Sequence, residues 1–552
     1  MHLGIDVGGT HTDAVAMFQG EVAAACKVKT DHTNLMASIR AALDDVLGAL
    51  KGVRPTRLNL STTLSTNAIV EGKSENVGVL VSAGPGVDPD YFHIGRNYHV
   101  IPGAIDHRGF EIKPLDGKEL DAAIASCRQL DVRSWAVVGK FSPRNPNHEL
   151  RMRKRIGPDA DHVSLGHRIS GLLNFPRRVS TAYYNAAVWR LYNTFADAVE
   201  RCMLEYELDA PVNILKADGG TMPLALSREL PVESILSGPA ASVMGIIALC
   251  EIRQDCVILD IGGTTTDIAF FAEGAPVIET AGIEVGSYPT LVRAMKTHSI
   301  GIGGDSRLHI IERKVYVGPE REGPALAMGG KTPTLIDACN FLGLSKVADA
   351  QASRQGVEAL ASLWDISPKK LAQEAVDYAV AAIKYAVEDL VWNINQKPVY
   401  TIGELLSGKE LRPRKIYCMG GPAKTFQPLL AKAFGLEVVV PHNYAVANAI
   451  GAALTRTSLD LELFADTNKG LMFIPNLGVE TPITSSYTLK DAERDAKRHL
   501  ADYLETLDVH DFENVASAID TTEAVSFNMV DDTRGSGRII RVKCQIRPGI
   551  LR

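Results

Sequence analysis

Two eight-residue stretches carry the residues best suited to chemistry: DVGGTHTD at 6–13 and DIGGTTTD at 260–267. Paired glycines let a backbone approach a ligand closely, because no Cβ stands in the way. Successive N–H groups in such a turn make a nest for anionic oxygens. Thr10 and Thr12 in the first copy, and Thr264, Thr265 and Thr266 in the second, add hydroxyls beside Gly8, Gly9, Gly262 and Gly263. Asp6 and Asp260 precede the glycines at strand ends. A carboxylate beside a phosphate is repulsive unless a divalent cation intervenes, so the pattern predicts Mg2+ held by Asp6 and Asp260; magnesium takes one or two carboxylates and keeps several waters. The plainer reading makes both of them turn caps. Asp13 and Asp267 close the stretches, either orienting an attacking group or capping the returning strand. One such turn would be ordinary. Two that agree at Asp, Gly, Gly, Thr, Thr and Asp point to a duplicated phosphate site.

Further candidates lie elsewhere. Gly420 and Gly421, after an apolar strand at Lys415–Met419, would let a flat ligand such as adenine lie against the backbone, with a helix start behind them. Gly303 and Gly304 make a fourth glycine-rich turn, with a helix pattern read at Asp305–Glu312 that Asp305 would cap. Thr62, Thr63, Thr66 and Asn67 are candidates for the substrate cleft, or else form a loop that satisfies its own backbone. No G-x-x-x-x-G-K-[ST] stretch occurs, and the N-terminal glycines do not follow the dinucleotide pattern. His107 and His148 lack metal-ligand spacing, and the basic run at 151–155 reads as a solvated helix face.

The elements that must position these residues alternate between strand and helix, the pattern of an α/β architecture. Each Gly-Gly-Thr stretch sits between two short apolar runs and reads as a hairpin tip. Helices are expected at Leu35–Leu50, Gly117–Gln129, from Asn145–Glu149 (with Glu149 at the positive helix end), Thr181–Leu204 (crossing between the halves), Pro368–Asn395 and Ala445–Leu459. Strands are expected at Val77–Val81, Ser134–Gly139 and Glu437–Val440. The expected division is a first α/β domain over 1–180, a crossing helix and linker over 181–255, a second, related domain over 256–458 and a C-terminal appendage over 459–552.

Bulk properties exclude several classes. A net charge of −7 argues against a nucleic-acid surface. The most apolar helical stretch, Ala240–Leu249, falls short of the ~20 residues that span a bilayer. Eight scattered cysteines without a C-x-x-C support neither a zinc site nor a disulfide framework, and suit a reducing compartment, the cytoplasm.

Paired phosphate hairpins with a Gly-Gly turn resemble the superfamily of actin, sugar kinases and heat-shock chaperone ATPases. Within it the chain resembles the hydantoinase A/5-oxoprolinase family. The stretches that carry the likeness include GIDVGGTHTDAV (4–15), STTLSTNAIVEG (61–72), NPNHELR (145–151), LSGPAAS (236–242), DIGGTTTDIA (260–269), VGPEREGPA (317–325), MGGPA (419–423) and VVVPHNYAVANAIGAAL (438–454), in family order. The resemblance implies two RNase H-like actin-ATPase domains with a nucleotide cleft between them and a small C-terminal appendage. It implies an enzyme that uses ATP and Mg2+ to activate a cyclic amide (a hydantoin, 5-oxoproline or another lactam) with a hydantoinase B-type partner subunit. A small-molecule kinase, a carboxylase subunit related to acetone carboxylase and a non-catalytic partner-binding ATPase are the alternatives, and homo-oligomerisation stays open. Where many members carry a Cys-Tyr-Gly-Arg-Gly-Gly segment, this chain reads ALAMGG at 325–330.

Overall fold

The computed structural model describes residues 1–31, 34–50, 52–396, 410–531 and 535–551. Both Gly-Gly-Thr stretches close hairpins. His2–Val7 pairs with His11–Phe18, and Cys256–Ile261 pairs with Thr266–Ala272. The registers correspond: Asp6 lies opposite Asp13, and Asp260 opposite Asp267. Each tip is shut by one backbone bond, Gly8 N–H to His11 O at 3.1 Å and Gly262 N–H to Thr265 O at 2.9 Å.

Each hairpin begins a mixed sheet of one plan. The first sheet runs Thr221–Pro223, Val212–Leu215, Arg57–Thr62, His2–Val7, His11–Phe18, Glu21–Lys29. The second runs Glu437–Val439, Lys415–Met419, Cys256–Ile261, Thr266–Ala272, Ala275–Pro276. In both, the first three strands in chain order are antiparallel neighbours, and the fourth and fifth lie parallel beyond the first. This is the RNase H-like order, twice, as expected. Val212–Leu215 and Thr221–Pro223 fall in the stretch read from sequence as crossing helix and linker. They are only 4 and 3 residues long, too short for a period-two pattern to register.

Between the fourth and fifth strands of the first sheet the chain inserts a parallel sheet, ordered His162–Leu165, Ser134–Gly139, Val77–Ser82, Asn97–Ile101. Its two central strands are buried on both faces, hence their unbroken apolar runs. The long helix expected from Thr181 spans Phe175–Glu205. Its first half packs on the inserted sheet through Val179, Ala182 and Ala186, and its second half on the first sheet through Tyr192, Phe195 and Val199. It therefore joins two sheets of the N-terminal half.

The two halves are knitted by small residues. Helix Ser237–Leu249 and helix Ala447–Leu454 meet where Gly245 and Gly451 leave no room for a Cβ, and Gly4 admits the second helix against the first sheet. Ser237–Leu249 is apolar almost all round because it is buried almost all round. The helix expected to run to Leu459 stops at Leu454; Leu459 instead starts a strand, Leu459–Asp466, of a C-terminal five-stranded sheet backed by helix Leu489–Thr506. The helix expected over Asp305–Glu312 does not form. Leu308–Ile311 and Lys314–Val317 pair as a hairpin in which Leu308, Ile310, Val315 and Val317 are buried in alternation, so period two wins over period 3.6. Among the described residues no helix is long and apolar enough to cross a membrane.

Candidate functional site

The two hairpin tips meet. A methyl group on Gly263 would stand 3.2 Å from Thr10 Oγ1 and 2.7 Å from Asp305 Oδ2. The Gly303–Gly304 turn clamps the second tip: Gly304 N–H donates to Gly262 O at 2.9 Å and Asp305 N–H to Gly263 O at 2.7 Å. Gly420, at φ 87°, lies against the strand end that carries Asp260; a Cβ there would sit 2.6 Å from Asp260 Oδ1. Gly9 and Gly421 are exposed and face open space. Thr10, Gly8, Gly262, Gly263, Thr264 and Thr265 are half-buried around the same gap.

Charge accumulates there. Burial, with the Asp13 and Asp260 carboxylates nearby, pushes Asp6 up to about 7, while Ser61 and Asn448 pull the other way. Asp6 Oδ1 is buried without a hydrogen-bond partner. Asp260 accepts from Ser242 Oγ at 2.6 Å and Asn448 Nδ2 at 3.1 Å. Burial raises Asp13 too, opposed by Lys27, whose Nζ lies 2.6 Å away. Asp267, hydrogen-bonded by Ser299, is pushed up to about 7 by burial and by Asp260. Asp305 does not cap a helix: its carboxylate accepts from Arg321 Nη2 at 3.0 Å and Ala325 N at 3.2 Å. Arg321 Nε has no partner, and the guanidinium is close enough to lower the pKa of His11 at the first tip, second to burial and Lys27.

Not every expected hydroxyl is free for a ligand. Thr12 is buried and shares a hydrogen bond with Thr30 at 3.0 Å, and Thr266 donates to Ile302 O at 2.7 Å. These two pin the tips to neighbouring strands, a duty created by their inward strand positions. Thr62 is fully buried and accepts from Leu64 N at 3.2 Å. Thr66 Oγ1 accepts from Leu236 N at 2.9 Å, holding that residue at φ 60° before its helix. Thr63, just before helix Leu64–Val70, and Asn67 on it stay half-buried, their side chains 3.3 Å apart.

The sequence model of the hydantoinase/oxoprolinase family matches residues 178–460, and that of its N-terminal region matches 2–157. The chain belongs to the hydantoinase/oxoprolinase family. Among curated relatives, the caprolactamase α subunit of Pseudomonas jessenii is 28% identical over 382 residues, 62% of this chain and 54% of that one. 5-Oxoprolinase 1 of Arabidopsis thaliana is 24% identical over 531 residues, 82% of this chain and 41% of that one. The acetophenone carboxylase γ subunit of Aromatoleum aromaticum is 22% identical, with 85% and 69% covered. The chain thus spans about half or less of the first two relatives' length. Its fold matches acetone carboxylase in its nucleotide-free structure at a TM-score of 0.70 and 17% identity, covering 100% of this chain and 87% of that one. It matches ATP-dependent caprolactamase from Pseudomonas jessenii at 0.68 and 20%, with the same coverage.

Three polar residues of the candidate site in this hydantoinase/oxoprolinase family member escaped the motif reading. Asn448, Ser242 and Arg321 lie within stretches that carry the family likeness, 438–454, 236–242 and 317–325. Asn448 reaches Asp260 from 188 residues away, and Ser242 and Arg321 reach Asp260 and Asp305 from separate elements 18 and 16 residues off, so spacing within one motif gave no signal. Among the described residues no group of three or more His, Cys, Asp or Glu forms a ready metal cage.

Proposed function

We propose that this chain binds ATP between its two hairpin tips and transfers the γ-phosphoryl group to the amide oxygen of a cyclic amide: a hydantoin, 5-oxoproline or another lactam. The apposition of Gly263 and Thr10 carries this reading, since it sets two anion-binding turns across one gap. In that transfer the bond from the γ-phosphorus to its bridging oxygen breaks, a bond to the amide oxygen forms, and ADP leaves. Phosphorylation makes the amide carbon electrophilic enough for water to add; the C–N bond then breaks with the ring nitrogen taking a proton, and a second water releases phosphate from the resulting acyl phosphate. Transfer of this kind asks mostly for positioning and charge stabilisation.

The residues suit those tasks. Asp6 and Asp260 would hold Mg2+, and the orphaned Asp6 Oδ1 fits such a ligand; two carboxylates suffice for an ion that keeps waters and phosphate oxygens. That ion would neutralise charge between the carboxylates and the phosphates. Arg321, paired with Asp305 but with Nε free, brings positive charge to the turn that clamps the second tip. Asp267, raised to about 7, is poised to take a proton near neutral pH. Gly420 and Gly421 would accept the adenine, and Thr63 with Asn67 would face the substrate.

The names of the caprolactamase α and acetophenone carboxylase γ subunits support a further subunit that completes hydrolysis, of hydantoinase B type. Eight free cysteines suit the cytoplasm. A second reading, a carboxylase subunit, has support in the acetophenone carboxylase relative, more of whose length is covered. The test is ADP release by the purified chain with Mg2+ against hydantoin, 5-oxoproline, caprolactam and acetophenone with bicarbonate. Stimulation by a lactam supports the proposal; stimulation by the ketone alone replaces it with the second reading.

A further inference from the structure

A cleft of about 630 Å³ opens between the inserted parallel sheet and the C-terminal sheet. Its walls come from loops that leave the carboxyl ends of Asn97–Ile101 and Ser134–Gly139, and from the turn between Leu459–Asp466 and Leu471–Ile474. Leu471, Phe473 and Ile539 give it an apolar floor. Two cations line it on either side of Gly109, where an added Cβ would stand 2.9 Å from Lys469 Nζ and 3.0 Å from Arg144 Cβ. Arg144 lies with its guanidinium carbon 3.1 Å from the centre of the Phe464 ring, and Lys469 Nζ is 4.4 Å from that of Phe110.

Neither cation has a carboxylate within ion-pairing distance among the described residues. Asp466 and Glu480 also line the cleft; Asp466 spends Oδ1 on Asn468 N at 2.9 Å and Lys469 N at 3.2 Å, closing its own turn, and Lys469 Nζ donates to Arg108 O. Burial, with Arg541 nearby, lowers Arg144 to about 10, and burial lowers Lys469. Desolvating a cation is costly unless an anion accompanies it. Aromatic faces soften that cost without removing it.

The loop that presents Arg144 is built with care for its position. Arg178, fully buried, donates to Gly139 O at 2.9 Å, Lys140 O at 2.6 Å and Ser142 Oγ at 2.7 Å. Glu149, also fully buried, accepts from Gly139 N at 2.8 Å and His167 Nδ1 at 2.5 Å. Asn145 ties this loop to Gly109 O at 3.0 Å. The buried Glu149 of the NPNHELR stretch, with Arg178, thus fixes a loop outside the hairpin cleft that presents the half-buried Arg144.

We propose that this cleft binds a small molecule that carries an oxyanion, a carboxylate or a phosphate, between Arg144 and Lys469, with its apolar part on the Leu471–Phe473 floor. The volume falls within the range of small-molecule sites, and a lining of polar and charged residues around a small apolar floor suits a charged ligand with an apolar part. The proposal is independent of what the hairpin tips bind.

Isothermal titration of the full chain with inorganic phosphate and with benzoate, in wild type, Arg144→Gln and Lys469→Gln, tests it. The expected result is saturable binding of at least one probe, weakened tenfold or more in each variant that keeps the wild-type melting temperature. Preference for phosphate or for benzoate assigns the anion. Binding of neither probe, or binding that both variants retain, overturns the proposal; phosphate held at the hairpin tips would give the latter result. Lys469→Gln serves where Arg144→Gln fails to fold, since Lys469 lies on a surface turn.

Discussion

Asn448 Nδ2 stands 3.1 Å from Asp260 Oδ2, although the two residues belong to a helix and a strand separated by most of the second half of the chain. That helix, Ala447–Leu454, packs against the strand that carries Asp6, and Asn448 acts on the Asp6 carboxyl as well. One amide therefore serves an aspartate from each hairpin.

Asn448→Ala should weaken Mg2+-dependent turnover by about 10–100-fold, the usual cost of losing a group that orients metal-binding carboxylates. The loss should appear as a higher Mg2+ requirement in an ADP-release assay, with the melting temperature nearly unchanged. An unaltered Mg2+ dependence would count against Asp6 and Asp260 as the ion's holders.

Gly303→Ala and Gly9→Ala should behave differently. A Cβ on Gly303 would press to 2.6 Å from the Gly263 carbonyl and the Thr264 nitrogen, whereas one on Gly9 meets nothing within 4 Å. The first variant should melt several degrees lower without nucleotide. The second should melt like wild type yet lose most of the stabilisation that ATP with Mg2+ gives. Thermal melts with and without nucleotide check both, and full ATP stabilisation of Gly9→Ala would place the phosphates away from that tip.

Glu149 offers a pH signature. Burial alone would raise its pKa, but the His167 charge, the hydrogen bonds from His167 and the Arg178 guanidinium outweigh burial and hold it below 4.5. A carboxyl lowered on folding stabilises the native state above its unfolded pKa, and that contribution is lost as pH falls through the lower native value. Glu149→Ala should cost about 3–5 kcal/mol, because it strands buried partners. Glu149→Gln should flatten the acid limb of stability below about pH 4.5. Urea melts between pH 3 and 7 decide this, and parallel acid limbs would refute it.

Thr66→Val and Thr63→Val separate architecture from substrate contact. Thr66 satisfies the Leu236 N–H, so its loss should cost about 1–3 kcal/mol of stability and leave KM alone. Thr63 should instead raise KM for the amide with little effect on melting. Chemical denaturation and steady-state kinetics read the two effects apart; the reverse pattern would remove Thr63 from the substrate side.

The duplication of Asp-Gly-Gly-Thr between apolar runs was enough to state the hairpins and the twofold plan of the sheets, because period-two burial and glycine-rich tips are local properties. The reading failed where local patterns were ambiguous or short: Leu308–Ile311 alternates over four residues, and Val212–Leu215 has no room to show a period. Glu149 looked like a helix-end charge, and only the approach of His167 and Arg178 makes it a buried tie.

What the sequence determined by itself is that two matching glycine-rich hairpin turns exist and which residues compose them. That they share one gap was decided by tertiary structure. Gly4, Gly245 and Gly451 let backbones of both halves touch, and that close approach sets Gly263 beside Thr10 and Asn448 between two aspartates. Such contacts depend on shape complementarity between distant segments, which no local periodicity encodes.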